Sequence, residues 1–139
     1  TNNFSKGHIS MTQKKKFKGQ RFIQMFEWEL SCPAYRYLSV YGRALLIEFR
    51  RLYYPGKNGK IPMSVRQAAL LLNCNKSTAA KYLRELEAKG WIRLTEKGSF
   101  NHKTDKSASL WRITNQAVGL GLETPETKEF MRWRPDAEK

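Results

Sequence analysis

Between Ser64 and Gly90 the chain carries start, stop and restart signals so closely spaced that only two short helices and a tight turn satisfy them. Ser64-Val65-Arg66-Gln67 fits a capping box, in which the Ser hydroxyl and the Gln side chain satisfy each other's backbone donors. The helix it opens runs to about Leu72, with Ala68, Ala69, Leu71 and Leu72 small or apolar. Asn73-Cys74-Asn75 interrupts it, and Asn tolerates left-handed geometry most readily after Gly. Asn75 then caps a second helix from Lys76 to Lys89, and Gly90 supplies the left-handed position that ends it. In that helix Ala79, Leu83 and Leu86 recur at steps of four and three, which marks the buried face. Lys76, Ser77, Thr78, Ala80, Lys81 and Arg84 fall on the other side. Helices joined by a three-residue turn cross steeply, and the small residues of the first permit the close approach.

A hairpin pattern follows at once. Trp91-Ile92-Arg93-Leu94-Thr95 and Ser109-Leu110-Trp111-Arg112-Ile113-Thr114 alternate and are rich in strand formers. Between them, Glu96 to Ala108 is polar and holds Lys97, Gly98, Asn101, His102, Lys103 and Lys106. Ile61-Pro62-Met63 is a short extended segment that Pro62 confines to a sheet edge or a two-residue bridge. Trp91 and Trp111 alternate beside Leu and Ile, which predicts core packing rather than exposed stacking. Cys74 reads as a small buried residue.

Upstream, Phe22, Ile23, Met25, Phe26, Trp28 and Leu30 form an apolar lead-in that fits neither the helix nor the strand period. Ser31, Cys32 and Pro33 mark one helix start and Ser39 another. After Ser39, Leu45, Phe49 and Leu52 lie on one face, with Arg43, Arg50 and Arg51 off it. Tyr54-Pro55-Gly56 ends that helix, and Lys57-Asn58-Gly59-Lys60 is a turn. The 139 residues suit one domain with appendages. These are a flexible basic arm over 1–20, a domain over 21–114, and a tail with a short helix over 115–139.

Charge and composition narrow the function. Lys plus Arg is 26 against 12 Asp plus Glu, a net charge of +14, and residues 1–21 carry six bases and no acid. Such an excess calls for a polyanionic partner. No apolar run is long enough to span a bilayer and no uninterrupted apolar core of the signal-peptide kind follows the N-terminal bases, so neither a membrane span nor a secretory signal is expected. Two cysteines, Cys32 and Cys74, are too few for a disulfide framework. His8 and His102 stand without a carboxylate or nucleophile at a recurring spacing, and with the two cysteines they form no paired zinc-ligand motif. No Gly-rich phosphate loop is present. The expectation is a cytoplasmic, nucleoid-associated protein that is not an enzyme and needs no cofactor or metal.

Residues 60–114, about two-fifths of the chain, resemble the winged helix-turn-helix domains of bacterial transcription regulators. The resemblance rests on Ser64-Val65-Arg66-Gln67-Ala68-Ala69, on Asn75-Lys76-Ser77-Thr78-Ala79, and on Leu83-Arg84-Glu85-Leu86-Glu87-Ala88-Lys89-Gly90-Trp91-Ile92. The last run is similar to the Leu-Glu-x-x-Gly-x-Ile signature that closes a recognition helix and opens the wing in MarR-like and GntR-like regulators. It implies a mostly α fold with a small β-wing, here with an extra N-terminal helix, the helix-turn-helix at 64–90 and the wing at 91–114. Helix 75–89 would then enter the major groove of duplex DNA, where Lys76, Ser77, Thr78, Lys81 and Arg84 reach bases or phosphates. Ser64, Arg66 and Asn75 would hold the backbone, and Lys97, Asn101, His102, Lys103 and Lys106 would meet phosphates or the minor groove. The expected role is sequence-specific transcription regulation, as a homodimer or by cooperative binding, with no small-molecule effector evident. Plasmid or phage replication, recombination, and RNA or protein binding are the alternatives, since fold alone does not fix function.

Overall fold

The helix starts and stops act where their residues stand. The computed structural model describes residues 19–98, 108–119 and 125–138. Among these, five α-helices and three strands run in the order α1 (Glu27–Ser31), α2 (Pro33–Arg36), α3 (Val40–Leu52), β1 (Ile61–Pro62), α4 (Val65–Leu72), α5 (Lys76–Ala88), β2 (Ile92–Glu96) and β3 (Leu110–Ile113). Two 3₁₀ turns, Glu129–Arg132 and Pro135–Glu138, follow. The class is mixed α/β, an arrangement compatible with a winged helix.

Ser39, Ser64 and Asn75 cap α3, α4 and α5, each side-chain oxygen accepting from the N–H three residues on at 3.0, 3.0 and 2.8 Å. Only half of the expected capping box forms, because Gln67 sends no bond back to Ser64 and lies along a surface groove instead. Asn73 takes the left-handed conformation after α4, with φ at 56°. The start read at Ser31 moves by one residue. Cys32 is the N-cap of α2 with Pro33 in its first turn, while Ser31 ends α1 and returns its hydroxyl to Glu27 O. The lead-in of unassigned period therefore contains α1, too short a helix to show one.

The strands form one antiparallel sheet in the order β1-β3-β2. Ile61 pairs with Trp111 and Ile92 with Ile113, so Pro62 sits on an edge strand as its missing N–H requires. The β2–β3 register shifts between Leu94 and Glu96. Thr95, the extra residue, turns its hydroxyl onto Leu110 O and Gly59 O, which gives the bulge its own hydrogen bonds.

Apolar faces of α3, α4 and α5 meet this sheet. Leu45, Phe49, Ala68, Leu72, Ala79, Leu83, Leu86, Trp91, Trp111 and Ile113 are all buried, as their periods predict. Both indoles satisfy their N–H inside the core, Trp91 on Ala34 O and Trp111 on Met63 O. Cys74 is half-buried. No helix among the described residues is long and apolar enough to cross a membrane.

Arg50 departs from its expected place. Periodicity sets it off the apolar face of α3, yet it is buried and donates to Glu29 Oε1 at 2.5 Å. Glu29 on α1 is itself fully buried. Residues 125–138 also join the core: Phe130 stacks on Trp91 with ring centroids 4.1 Å apart. Asn58, in the turn before β1, is buried too. Its amide bonds Ile113 O and Gln116 O, and its carbonyl accepts from Ile113 N–H.

Glu129 anchors the C-terminal segment to the sheet. Its carboxylate accepts from Arg93 Nε at 3.1 Å, from Arg112 Nη2 at 3.4 Å and from Thr127 Oγ1. Burial pushes its pKa up, but the hydrogen bonds from Thr127, its own backbone N–H and Arg93, with the charge of Arg112, win and hold it below the ordinary Glu value. A depressed carboxylate pKa stabilises the fold fully above the ordinary value, and that contribution fades as pH falls through the folded-state value. The difference in melting temperature between the natural chain and Glu129→Gln should thus shrink on acidification below the ordinary carboxylate range. A difference that stays constant with pH in calorimetry would remove Glu129 from this role.

Candidate nucleic-acid interface

The surface of α5 divides sharply by charge. With Ala79, Leu83 and Leu86 turned inward, Ser77, Lys81 and Arg84 stand on the opposite, exposed side, and Lys76 is exposed in the first turn. None of Lys76, Lys81 and Arg84 has an ion-pair partner among the described residues. Lys81 lies with its ammonium 5.6 Å from the centroid of Tyr82. Tyr82 in turn stacks on Tyr41 of α3, at 5.1 Å. Reading by period alone misses this aromatic support, because the contact joins residues far apart in the chain.

The acids of α5 do not neutralise that face. Glu85 points to the start of α3, where Oε2 accepts from Ser39 N–H at 3.0 Å and Oε1 from Ser39 Oγ at 2.7 Å. It is a cap supplied from another helix, a carboxylate at the positive end of α3. Lys89 approaches the same carboxylate at 3.9 Å. Gly42 completes the joint: a Cβ there would stand 2.5 Å from Glu85 Oε1. So α5 is held on α3 by Glu85 while Lys76, Lys81 and Arg84 face outward.

The turn between α4 and α5 is polar and exposed at Asn73 and Asn75. Asn75 Oδ1 accepts from Thr78 N–H and from the Ser77 hydroxyl at 2.9 Å, so Ser77 keeps only its acceptor pairs for a ligand. Thr78 is half-buried. The N–H groups of Lys76 and Ser77, in the first turn, have no intrahelical acceptor, and their dipoles favour an anion there. Ser64 has its oxygen committed to the cap of α4 but retains its proton, and Arg66 is exposed in the first turn of that helix.

On the hairpin, Lys97 is exposed just past β2. Gly98 N–H donates to Ser109 Oγ at 2.9 Å, which ties the residues just past β2 to those just before β3. Asn101, His102, Lys103 and Lys106 lie outside the described residues, as does most of the basic arm. The structure therefore brings together Asn75, Lys76, Ser77, Thr78, Lys81 and Arg84 on one helix, with Ser64 and Arg66 on its neighbour. No family model, curated protein or solved structure matches the chain.

Proposed function

We propose that the chain is a winged helix-turn-helix protein that binds duplex DNA in a sequence-specific way and regulates transcription. In this reading α4, the turn at 73–75 and α5 are the helix-turn-helix, and the β2–β3 hairpin is the wing. The observation that carries it is the outer face of α5, with exposed Lys76, Lys81 and Arg84 free of acidic partners beside the hydroxyls of Ser77 and Thr78. Unpaired bases interspersed with short polar side chains suit phosphate and base-edge contacts in a major groove. The net charge of +14 adds long-range attraction for the same partner.

Selection of bound sequences from random duplex DNA tests the reading directly, and one recurrent site is the expected result. On that site, Lys81→Ala and Arg84→Ala should each weaken binding by about 1–3 kcal/mol where the side chain reads a base. Preference should relax at particular base pairs, with little change in melting temperature because both side chains are exposed. Equal weakening on every sequence would assign these side chains to phosphates alone. Failure to select any site would end the sequence-specific reading. Occupancy of that site upstream of transcribed regions, measured in cells, separates regulation from replication or recombination.

A further inference from the structure

Where the lead-in passes the end of α3 and the residues that follow β3, the fold leaves a cavity of ≈320 Å³. Arg50 and Ile113, both buried, line its inner side, and the exposed Phe22 and Tyr54 line its mouth. Two of the lining side chains carry unmet hydrogen-bonding capacity. Arg50 Nε, on a side chain only 5% exposed, donates to no group among the described residues. Asn115 Oδ1 is buried as well and accepts from none. The first is a permanent donor, since arginine stays protonated, and the second is an acceptor only. Buried polar atoms in native folds are paired as a rule, so one donor and one acceptor left open on the same cavity call for an occupant. Tyr53, a third lining residue, donates its hydroxyl to Gln116 Oε1 at 3.3 Å, and burial pushes its phenol pKa up, which keeps that proton in place.

We infer that this cavity binds a small, flat, uncharged molecule with an amide edge, its carbonyl accepting from Arg50 and its N–H donating to Asn115, as cyclic lactams and aromatic carboxamides can. Charge decides against ions. Glu29 already balances Arg50 at 2.5 Å, so the inner wall has no net charge to attract one. An anion would accept from Arg50 but set its lone pairs against Asn115 Oδ1. A cation would donate to Asn115 but meet the guanidinium of Arg50 and, at the mouth, that of Arg21. Only a group offering both an acceptor and a donor answers both walls. Water does so too, but the cavity has room for about ten molecules at liquid density. The rings of Phe22 and Tyr54 and the side chains of Pro55 and Ile113 give such waters nothing to bond, so an apolar ring displaces them with a gain. The volume lies at the small end of ligand cavities, which suits one or two rings. No residue of α4 or α5 lines it, so the site is separate from the proposed DNA-binding face.

Titration of the full chain with 2-pyridone, followed by protein NMR without DNA, tests the inference whatever becomes of the DNA-binding reading. This probe is a one-ring lactam with adjacent C=O and N–H. It should give saturable shifts centred on residues 113–116, with a Kd on the order of 1 mM, as befits so few atoms. Two probes of similar size separate the parts of the claim. 1-Methyl-2-pyridone keeps the ring and the carbonyl but has no N–H, and benzoate replaces the amide edge by an anion. Each should bind about tenfold more weakly or worse, the loss expected for one buried hydrogen bond. Asn115→Ala should weaken 2-pyridone by a similar factor, Asn115→Asp should retain it because an acceptor remains, and Lys81→Ala should leave it unchanged. The probe comparison uses the natural chain alone, so it decides the matter even where a variant fails to fold. Shifts that do not saturate by about 50 mM 2-pyridone, beyond the range of specific binding for a ligand of this size, overturn the inference and leave the cavity to water. Equal binding of 2-pyridone and its N-methyl analogue, or tighter binding of benzoate, overturns it as well.

Discussion

Gly90→Ala should lower stability by about 3–5 kcal/mol, combining a disfavoured backbone conformation with an overpacked contact. The residue sits at φ 87°, where the chain leaves α5 and reverses into β2. A Cβ there would stand 2.7 Å from Phe130 N and 2.8 Å from Glu129 C. Those are backbone atoms, so no rotamer change relieves the clash. The segment they belong to is pinned by the Glu129 carboxylate and by the Phe130–Trp91 stack. Gly59→Ala is the internal control. Its φ is 90°, but the nearest contact of an added Cβ is Val118 Cγ1 at 3.4 Å, so it should cost only the backbone term of about 1–2 kcal/mol. Urea unfolding of both variants measures the difference. Equal losses would mean that the close approach of residues 129–130 to the end of α5 carries no energy, and that Gly90 serves its turn alone.

The contrast between these two glycines also marks how far sequence reasoning reaches. Gly90 is legible as a helix stop because the need for positive φ is local. Its second duty, admitting residues 129–130, joins segments distant in sequence and leaves no periodic trace. The same division holds elsewhere. Ser39, Ser64 and Asn75 act on an N–H three residues away, so a short window reveals them. Ala79, Leu83 and Leu86 obey one helical period, and by the same period Lys81 and Arg84 fall on the outer side of α5. Glu85 belongs to that helix as well, but its task is to cap α3 from outside, and nothing near it in the chain announces this. Asn58 reads as a turn residue and proves to be a buried bracket for residues 113–117. Of the candidate site, the part on α4 and α5 was legible because helices repeat, whereas the polar sequence from Glu96 to Ala108 offers no period by which to place Asn101, His102, Lys103 or Lys106.

Arg50 is the largest departure from its periodic place, and removing it should be correspondingly costly. Arg50→Met should destabilise the chain by about 3–5 kcal/mol, because it leaves the Glu29 carboxylate buried without its counter-charge. In addition to Glu29, Arg50 Nη1 bonds Gln24 O at 3.3 Å and Met25 Sδ at 3.1 Å, and the guanidinium lies 5.8 Å from the Trp91 ring centroid. One side chain thus ties the lead-in and α1 to the core. The pair is nonetheless imperfectly satisfied: Glu29 Oε2 and Arg50 Nε are buried with no hydrogen-bond partner among the described residues. Two desolvated ions with lone pairs and protons left over are poorly repaid by one short bond. The double variant Glu29→Met with Arg50→Met should therefore regain most of the stability that the single change loses, and a double-mutant cycle in urea isolates the coupling. If the double variant is as unstable as Arg50→Met, the loss belongs to the bonds on Gln24 and Met25 and to the Trp91 contact, not to the ion pair. If Arg50→Met alone costs under about 1 kcal/mol, the pair behaves as a solvated surface bridge and its burial is not felt. The expected outcome, a large single loss with recovery in the double, means that the pair specifies where α1 docks rather than supplying the energy that holds it there.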